Sequence, residues 1–373
     1  MKALPTRMVD LPPATDPRPP TGRTRHPYFT HEMIRRQEVA ARATIAASSL
    51  SAPIIPVPPK GGGLLFTGIG SSFHAAMATA FAAGPTLGYR FPARAVPSFD
   101  LVDLPELSTG ASVALLFTSS GSTALTLSAL RMLKEKGIIT IVVTGSQHSA
   151  AAQLADHILP TRYSEENSWM HTVSYTSALC AGLTLLRAWA VAPDSPKDID
   201  DQVAEGVVSG LALESRALDL VDAVSDRQRV FILGSGAAEA TAREGALKIR
   251  LATGRLAVAL GVEEFLHGDL PAVGEHALVI GLSTTPFERA RARHGLAAAA
   301  ATGARCLLID TSGGETGEGI WSLLSQPPEM STISQVIPLQ LLAYWIAVSE
   351  GRNPDVMGLD DPRQLAARRT FGT

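Results

Sequence analysis

GLLFTGIGSSFHAAMATAF (Gly63–Phe81) runs from an apolar segment through a G-x-G step into alanine-rich residues, and RVFILGSGAAEATAREGALKI (Arg229–Ile249) does so again. Each has the form strand, glycine turn, helix. A second unit of the same order follows each: SVALLFTSSGSTALTLSALRMLKEKGIITIVVTG (Ser112–Gly145) in the first half and HALVIGLSTTPFERARARHGLAAAAATGARCLLID (His276–Asp310) in the second. Two β-α-β units therefore stand in tandem. The runs Leu64–Thr67, Val113–Thr118, Ile138–Thr144 and His157–Leu159 are almost continuously apolar, which suits parallel strands covered on both faces. The stretch Thr123–Lys136, with Leu125, Leu127, Leu130 and Leu133, supplies a helical crossover, right-handed by the general rule. The expected fold is α/β: two tandem doubly wound domains, each a parallel sheet between helical layers.

The chain divides near Asp194–Asp201, giving expected units of 27–195 and 196–373. MKALPTRMVDLPPATDPRPPTGRTRHP (Met1–Pro27) is proline-rich and lacks an apolar core, so residues 1–26 are expected to form a flexible arm rather than a signal peptide. Hydrophobic residues at 46% and charged ones at 18% over 373 residues describe a globular chain with ample core. A net charge of -3 supplies no basic field, which argues against nucleic acid as a partner. Cys180 and Cys306 sit in apolar segments, so buried thiols in a cytoplasmic protein are expected rather than a disulfide. The nine histidines show no ligand spacing, and neither metal nor cofactor is expected. The most apolar helical stretch, Ser177–Ala192, is too short to span a bilayer and carries Arg187, so no membrane association is expected.

In a doubly wound sheet, ligands bind beyond the carboxyl ends of the strands. Thr118, Ser119, Ser120 and Thr123 crowd one such end, and Ser71 and Ser72 stand at the equivalent corner of the preceding unit. A helix N-terminus with convergent amides and hydroxyls suits a phosphate monoester. Capping is the plainer use of serine and threonine, but one helix start needs only one such side chain. The dinucleotide fingerprint G-x-G-x-x-G fails, because Phe73 stands where its third glycine belongs. The STTPFE loop (Ser283–Glu288) has fewer hydroxyls and an acidic Glu288 that would repel phosphate, so one site per chain is expected.

GSSFHA with TSSGSTALTLSAL, then EGALKI (Glu244–Ile249), EEFLHGDL (Glu263–Leu270) and IPLQLLAYWIAVSEG…DDPRQLA (Ile337–Ala366), resemble the sugar isomerase (SIS) domain family. More narrowly, they resemble the double-SIS isomerase half of glucosamine-6-phosphate synthase and its deaminase and deglycase relatives. The likeness covers roughly residues 30–370 and implies two tandem SIS domains with a sugar phosphate held by Ser71, Ser72, Thr118, Ser119, Ser120 and Thr123. It also implies a homodimer in which His267 opens the sugar ring from the neighbouring subunit, with Glu244 and Lys248 lining the site. Four residues apart on a helix, Glu244 and Lys248 can equally form a surface ion pair. The expected activity is isomerisation or deamination of a sugar or amino-sugar 6-phosphate. The alternatives are a fructosamine-6-phosphate-type deglycase and a non-catalytic regulator. No glutaminase activity is expected, because the chain opens Met1-Lys2 without a cysteine nucleophile.

Two positions depart from the pattern. Leu251 stands where the synthase has its proton-moving glutamate, and Ala367 replaces a lysine, followed by Arg368 and Arg369. Leucine accepts no proton, and arginine binds anions but is a poor acid or base. The stand-in base is expected from Glu264, Glu244 or the segment YSEENSWMHTVSYTSAL (Tyr163–Leu179), where Trp169, Met170 and His171 replace a small-residue sugar loop. His171 is the substrate-binding candidate there.

Overall fold

The computed structural model describes residues 23–190, 199–314 and 316–370. The first sheet contains β1 (Gly63–Thr67), β2 (Ala93–Ala95), β3 (Ala111–Phe117), β4 (Ile139–Thr144) and β5 (His157–Pro160), in the order β2-β1-β3-β4-β5. The second contains β6 (Arg229–Leu233), β7 (Leu256–Leu260), β8 (Ala277–Ser283), β9 (Arg305–Asp310) and β10 (Ile320–Ser322), in the order β10-β9-β8-β6-β7. Every pairing is parallel. Counted from the first strand of each half, the two orders are identical, so the sequence repeat is a topological one. Each order reverses beside its first strand, which opens a crevice at the carboxyl ends of β1 and β3, and of β6 and β8.

Glycine explains both G-x-G steps. A Cβ on Gly68 would lie 2.7 Å from the Ser72 carbonyl carbon, and one on Gly234 would lie 2.5 Å from the Ala238 oxygen, so each first glycine admits the following helix. The second glycines, Gly70 (φ 58°, ψ -129°) and Gly236 (φ 58°, ψ -124°), adopt one backbone geometry that other residues rarely enter. The helices they start, Ser71–Thr86 and Ala237–Thr253, pack against each other and join the two halves. One apolar cluster runs through both halves, from Leu64 and Phe117 to Ile232 and Ile280.

The four expected strands and the helix after β3 (Ala124–Glu135) appear within two residues of their sequence boundaries. The expected division near Asp194–Asp201 falls largely on 191–198, outside the described residues, as does the expected arm over 1–22. Residues 23–26 correct the extent of that arm. Arg23 pairs with Glu32 at 2.7 Å, and His26 Nδ1 lies 2.7 Å from the Tyr344 hydroxyl. Asp355 holds the neighbouring helix start, accepting from the amides of Phe29 (3.0 Å) and Thr30 (2.7 Å). The two cysteines also differ: both are free thiols, but Cys306 is only half-buried.

The apolar stretch singled out in the sequence forms the helix Val173–Trp189. Among the described residues one helix, Pro328–Ser349, is long and apolar enough to cross a bilayer, but 89% of its most apolar window is buried inside the protein. Its end is fastened by Arg255, which is 3% exposed. Arg255 donates to the carbonyls of Val224 (2.7 Å), Arg227 (2.9 Å) and Ser225 (3.0 Å) and to Glu350 (2.7 Å). Arg255→Ala strands those carbonyls, so a loss of about 3 kcal/mol is expected from the denaturant midpoint. Arg255→Lys should recover little, because one ammonium cannot reproduce the planar fork.

Candidate functional site

A cavity of about 650 Å³ opens at the carboxyl ends of β1, β3 and β4. Every expected binding residue lines it: Ser71 and Ser72 from the first corner, Thr118, Ser119, Ser120 and Thr123 from the second, and His171 from the loop before Val173–Trp189. The helix Ala237–Thr253 adds Leu247 and Leu251 from the second half, and the C-terminal segment adds Met357 and Arg368. The cavity is thus walled by both repeats.

The hydroxyls divide by use. Thr118 Oγ1 accepts from the Gly121 amide at 3.1 Å, and Ser120 Oγ accepts from the Ser122 hydroxyl at 2.9 Å, so these two shape the loop. A Cβ on Gly121, at φ 64°, would lie 2.0 Å from Ser149 Oγ, which makes the tight turn dependent on glycine. Thr123 is the N-cap of Ala124–Glu135 but makes no side-chain capping bond, and Gly70 caps Ser71–Thr86 without a side chain. Both helix starts therefore face the cavity without a side-chain cap. Ser149 and Thr285, by contrast, do cap their helices through Ala152 and Glu288.

The equivalent corner of the second half is already filled. Glu288 Oε2 accepts from the Thr284 amide at 2.8 Å and its hydroxyl at 2.7 Å. Glu288 Oε1 also lies 3.1 Å from the position a Cβ on Gly236 would take. The residue expected to repel phosphate thus stands in this corner, bound to Thr284.

Glu244 and Lys248 require a correction. They pair at 2.6 Å, as helical spacing allows, but both are 0% exposed and neither lines the cavity. They sit behind its wall, between the halves. His74 Nδ1 lies 2.7 Å from Glu244 Oε2, and Lys248 Nζ donates to Ser71 Oγ at 2.9 Å and to the Met170 carbonyl. Burial alone would raise the Glu244 pKa, but the Lys248 ammonium and His74 overcome it and hold the carboxyl at about 2.

Glu264 and His267 lie outside the cavity of their own chain. His267 is 83% exposed and 3.7 Å from Glu263, which is itself held by Arg291 at 2.7 Å. Glu264 is exposed, with its carboxylate folded back to Gly261. Leu251 does face the cavity, as does Arg368, whereas Ala367 does not.

Within residues 164–175 the sequence pointed to Trp169, Met170 and His171, but not to Glu166, Ser174 or Tyr175. Glu166 accepts from the Ser174 amide at 3.0 Å and hydroxyl at 3.3 Å, and His171 Nδ1 lies 3.3 Å from the same hydroxyl. Glu166, Ser174 and Tyr175 all line the cavity. His171 has left-handed backbone (φ 53°) and an imidazole open to the cleft. Crowding by protein on its other sides lowers its pKa, with Lys248 and Arg368 adding to the shift and Glu166 and Glu244 opposing it. Burial, reinforced by Glu244, pushes the Tyr175 phenol well above its ordinary value. Among the described residues no cluster has the makings of a metal site.

The profile of the SIS domain matches residues 61–191 and 223–349. The chain is 28% identical to glutamine–fructose-6-phosphate aminotransferase [isomerizing] of Pyrococcus horikoshii, covering 91% of this chain and 57% of that protein. The Thermococcus kodakarensis protein of the same name is 29% identical over 81% of this chain and 51% of its own. The chain thus spans little more than half the length of these curated relatives. Among solved structures, the C-terminal domain of glucosamine-fructose-6-phosphate aminotransferase from Francisella tularensis superposes with a TM-score of 0.79 at 20% identity, over 87% of this chain and 97% of that one. Tagatose-6-phosphate ketose/aldose isomerase from Escherichia coli gives 0.75 at 21%, over 88% and 95%. Glucosamine-6-phosphate deaminase from Thermotoga maritima gives 0.70 at 20%, over 88% and 96%. At such identities these structures speak for the fold.

Proposed function

From the premise that this chain belongs to the SIS domain family, we propose that it binds a sugar phosphate in the cavity beyond β1 and β3 and isomerises or deaminates it. The observation that carries this is the convergence on one cavity of two helix starts without side-chain caps, Ser71–Thr86 and Ala124–Glu135, ringed by hydroxyls. Their amides and dipoles favour a dianion, and Ser72, Ser119 and Thr123 supply further donors. A cavity of about 650 Å³ is ample for a hexose phosphate. The relatives' names support the substrate class: fructose 6-phosphate, tagatose 6-phosphate and glucosamine 6-phosphate are each a phosphorylated hexose or amino-hexose. In this proposal the protein works as a homodimer whose second copy supplies His267 and Glu264 to the cavity, since neither reaches it within one chain. The division of the chain into units of 27–195 and 196–373 belongs to the same proposal.

One observation favours a second reading. Leu251 presents a hydrocarbon wall to the cavity where the resemblance would place a carboxylate, as expected of a protein that binds the ligand without transforming it.

A thermal-shift screen of fructose 6-phosphate, tagatose 6-phosphate and glucosamine 6-phosphate tests the binding step. At a hundred times its dissociation constant a ligand stabilises by about 2.7 kcal/mol, which raises Tm by several degrees. The unphosphorylated sugars should give no shift. If free sugars and sugar phosphates behaved alike, the anion corner would be wrong. Deuterium uptake from solvent at the carbon next to the carbonyl, C1 of the two ketose phosphates and C2 of glucosamine 6-phosphate, then separates enzyme from binder.

A further inference from the structure

We propose that His171 is the proton-transferring group of this cavity, with Nε2 as the base, and that Glu166 through Ser174 and Lys248 through Met170 hold it for that task. This rests on the sugar-phosphate reading above and specifies its chemistry.

The cavity offers few choices. Among the described residues lining it, the titratable side chains are Glu166, His171, Tyr175 and Arg368. A guanidinium such as that of Arg368 only donates hydrogen bonds and is a poor acid or base. The Tyr175 phenol is buried and raised, so it stays protonated at neutrality. Glu166 is already engaged by the Ser174 amide (3.0 Å) and hydroxyl (3.3 Å) and by the Ser168 hydroxyl (3.4 Å). His171 uses only Nδ1, towards Ser174, and no hydrogen bond among the described residues involves Nε2.

The polarity of this chain of contacts selects the tautomer. An ionised carboxylate only accepts, so the Ser174 hydroxyl gives its hydrogen to Glu166. Ser174 Oγ must then accept from His171, which puts the imidazole hydrogen on Nδ1 and leaves the Nε2 lone pair open. A depressed pKa keeps that lone pair available at neutral pH, and the nearby Lys248 and Arg368 cations are among its causes.

The imidazole is also fixed in place. The left-handed backbone at His171 stores strain that the surroundings must sustain. The preceding carbonyl, that of Met170, accepts from Lys248 Nζ, whose other partners are Glu244 and Ser71 Oγ. One buried ammonium thus ties the His171 peptide to the first residue of the phosphate-facing helix. The separation between phosphate corner and imidazole is set by a rigid link, as proton abstraction from carbon requires.

The step balances without a co-reactant. Nε2 takes the proton from the carbon next to the open-chain carbonyl, and the C–H electron pair forms the C1=C2 bond. The carbonyl π pair moves to oxygen, which takes the neighbouring hydroxyl's proton as that oxygen becomes the new carbonyl. The imidazolium returns its proton to the adjacent carbon. General base catalysis of this kind contributes about 10²–10⁴-fold.

The test uses the full chain with fructose 6-phosphate, tagatose 6-phosphate and glucosamine 6-phosphate as probes. His171→Asn removes the base while tolerating left-handed backbone. The variant is expected to keep the wild-type thermal shift with the stabilising probe and to incorporate deuterium at least about a hundredfold more slowly. In the wild type, the His171 ring signals, assigned by their loss in the variant, should titrate below the ordinary histidine range and move when the probe binds. Ser174→Ala should displace that titration. Exchange by His171→Asn at the wild-type rate overturns the proposal, as does a ring signal indifferent to a bound probe. Binding without exchange in the wild type also overturns it and leaves the phosphate reading standing. No thermal shift with any probe overturns both.

Discussion

Lys248→Met is expected to lower stability by about 3–5 kcal/mol, read from the denaturant midpoint, because it leaves the Glu244 carboxylate charged, buried and short of its main partner. Both side chains are 0% exposed, so water cannot replace the lost ammonium. His74 at 2.7 Å remains and softens the effect only in part. Glu244→Gln combined with Lys248→Met should recover much of the loss, since replacing a whole buried pair by neutral groups is often nearly neutral. The pair also has a pH signature. The Glu244 pKa lies below its ordinary 4.5, at about 2, so its contribution is complete above pH 4.5 and is lost as pH falls towards 2. The stability gap between the wild type and Glu244→Gln should narrow across that window. A Lys248→Met variant within about 1 kcal/mol of the wild type would show that the pair is not sealed between the halves as described.

Thr123→Asp is expected to abolish sugar-phosphate binding while leaving the fold intact. Aspartate is as good an N-cap as threonine and interacts well with the helix dipole, so Ala124–Glu135 should keep or gain stability. The same carboxylate would stand in the corner that a phosphate needs. At about 4 Å and an effective dielectric near 20, one pair of like charges costs about 4 kcal/mol, so a weakening of at least a hundredfold is expected by calorimetric titration. Capping and anion binding thus predict opposite outcomes. An aspartate variant that bound its ligand unchanged would reduce the hydroxyl cluster to ordinary capping.

How far the sequence disclosed this site follows from the range of each interaction. The corner at Gly70 was legible because its cause is local: a glycine that must reach φ 58°, an apolar strand before it and a helix after it. The corner at Thr118–Thr123 was legible for the same reason, down to the residues that face the cavity. Glu244 and Lys248 were seen as a pair, but spacing of four is the same on a surface helix and a buried one. Only the packing of Ala237–Thr253 against Ser71–Thr86 decides between them. His171 was named from the sequence as a substrate-binding candidate, but its neighbours Glu166 and Ser174 were opaque for another reason. Their contacts arise in an irregular loop whose path is set by Lys248 and by Asp355, whose carbonyl accepts from the Trp169 amide at 3.0 Å. The edge strand β2 spans only Ala93–Ala95, too short for a periodic signal. His26 was assigned to the arm from composition, which carries no trace of a partner as remote as Tyr344.

The carboxylate of Glu288, seated on Thr284 in the second half, has a consequence for how a duplicated fold divides its labour. Backbone symmetry survives in the paired glycine corners, but in the second crevice Glu288 already takes the Thr284 amide and hydroxyl. On the sugar-phosphate proposal, that internal carboxylate predicts one ligand per chain. The second half also lends Leu247 and Leu251 to its sibling's chamber.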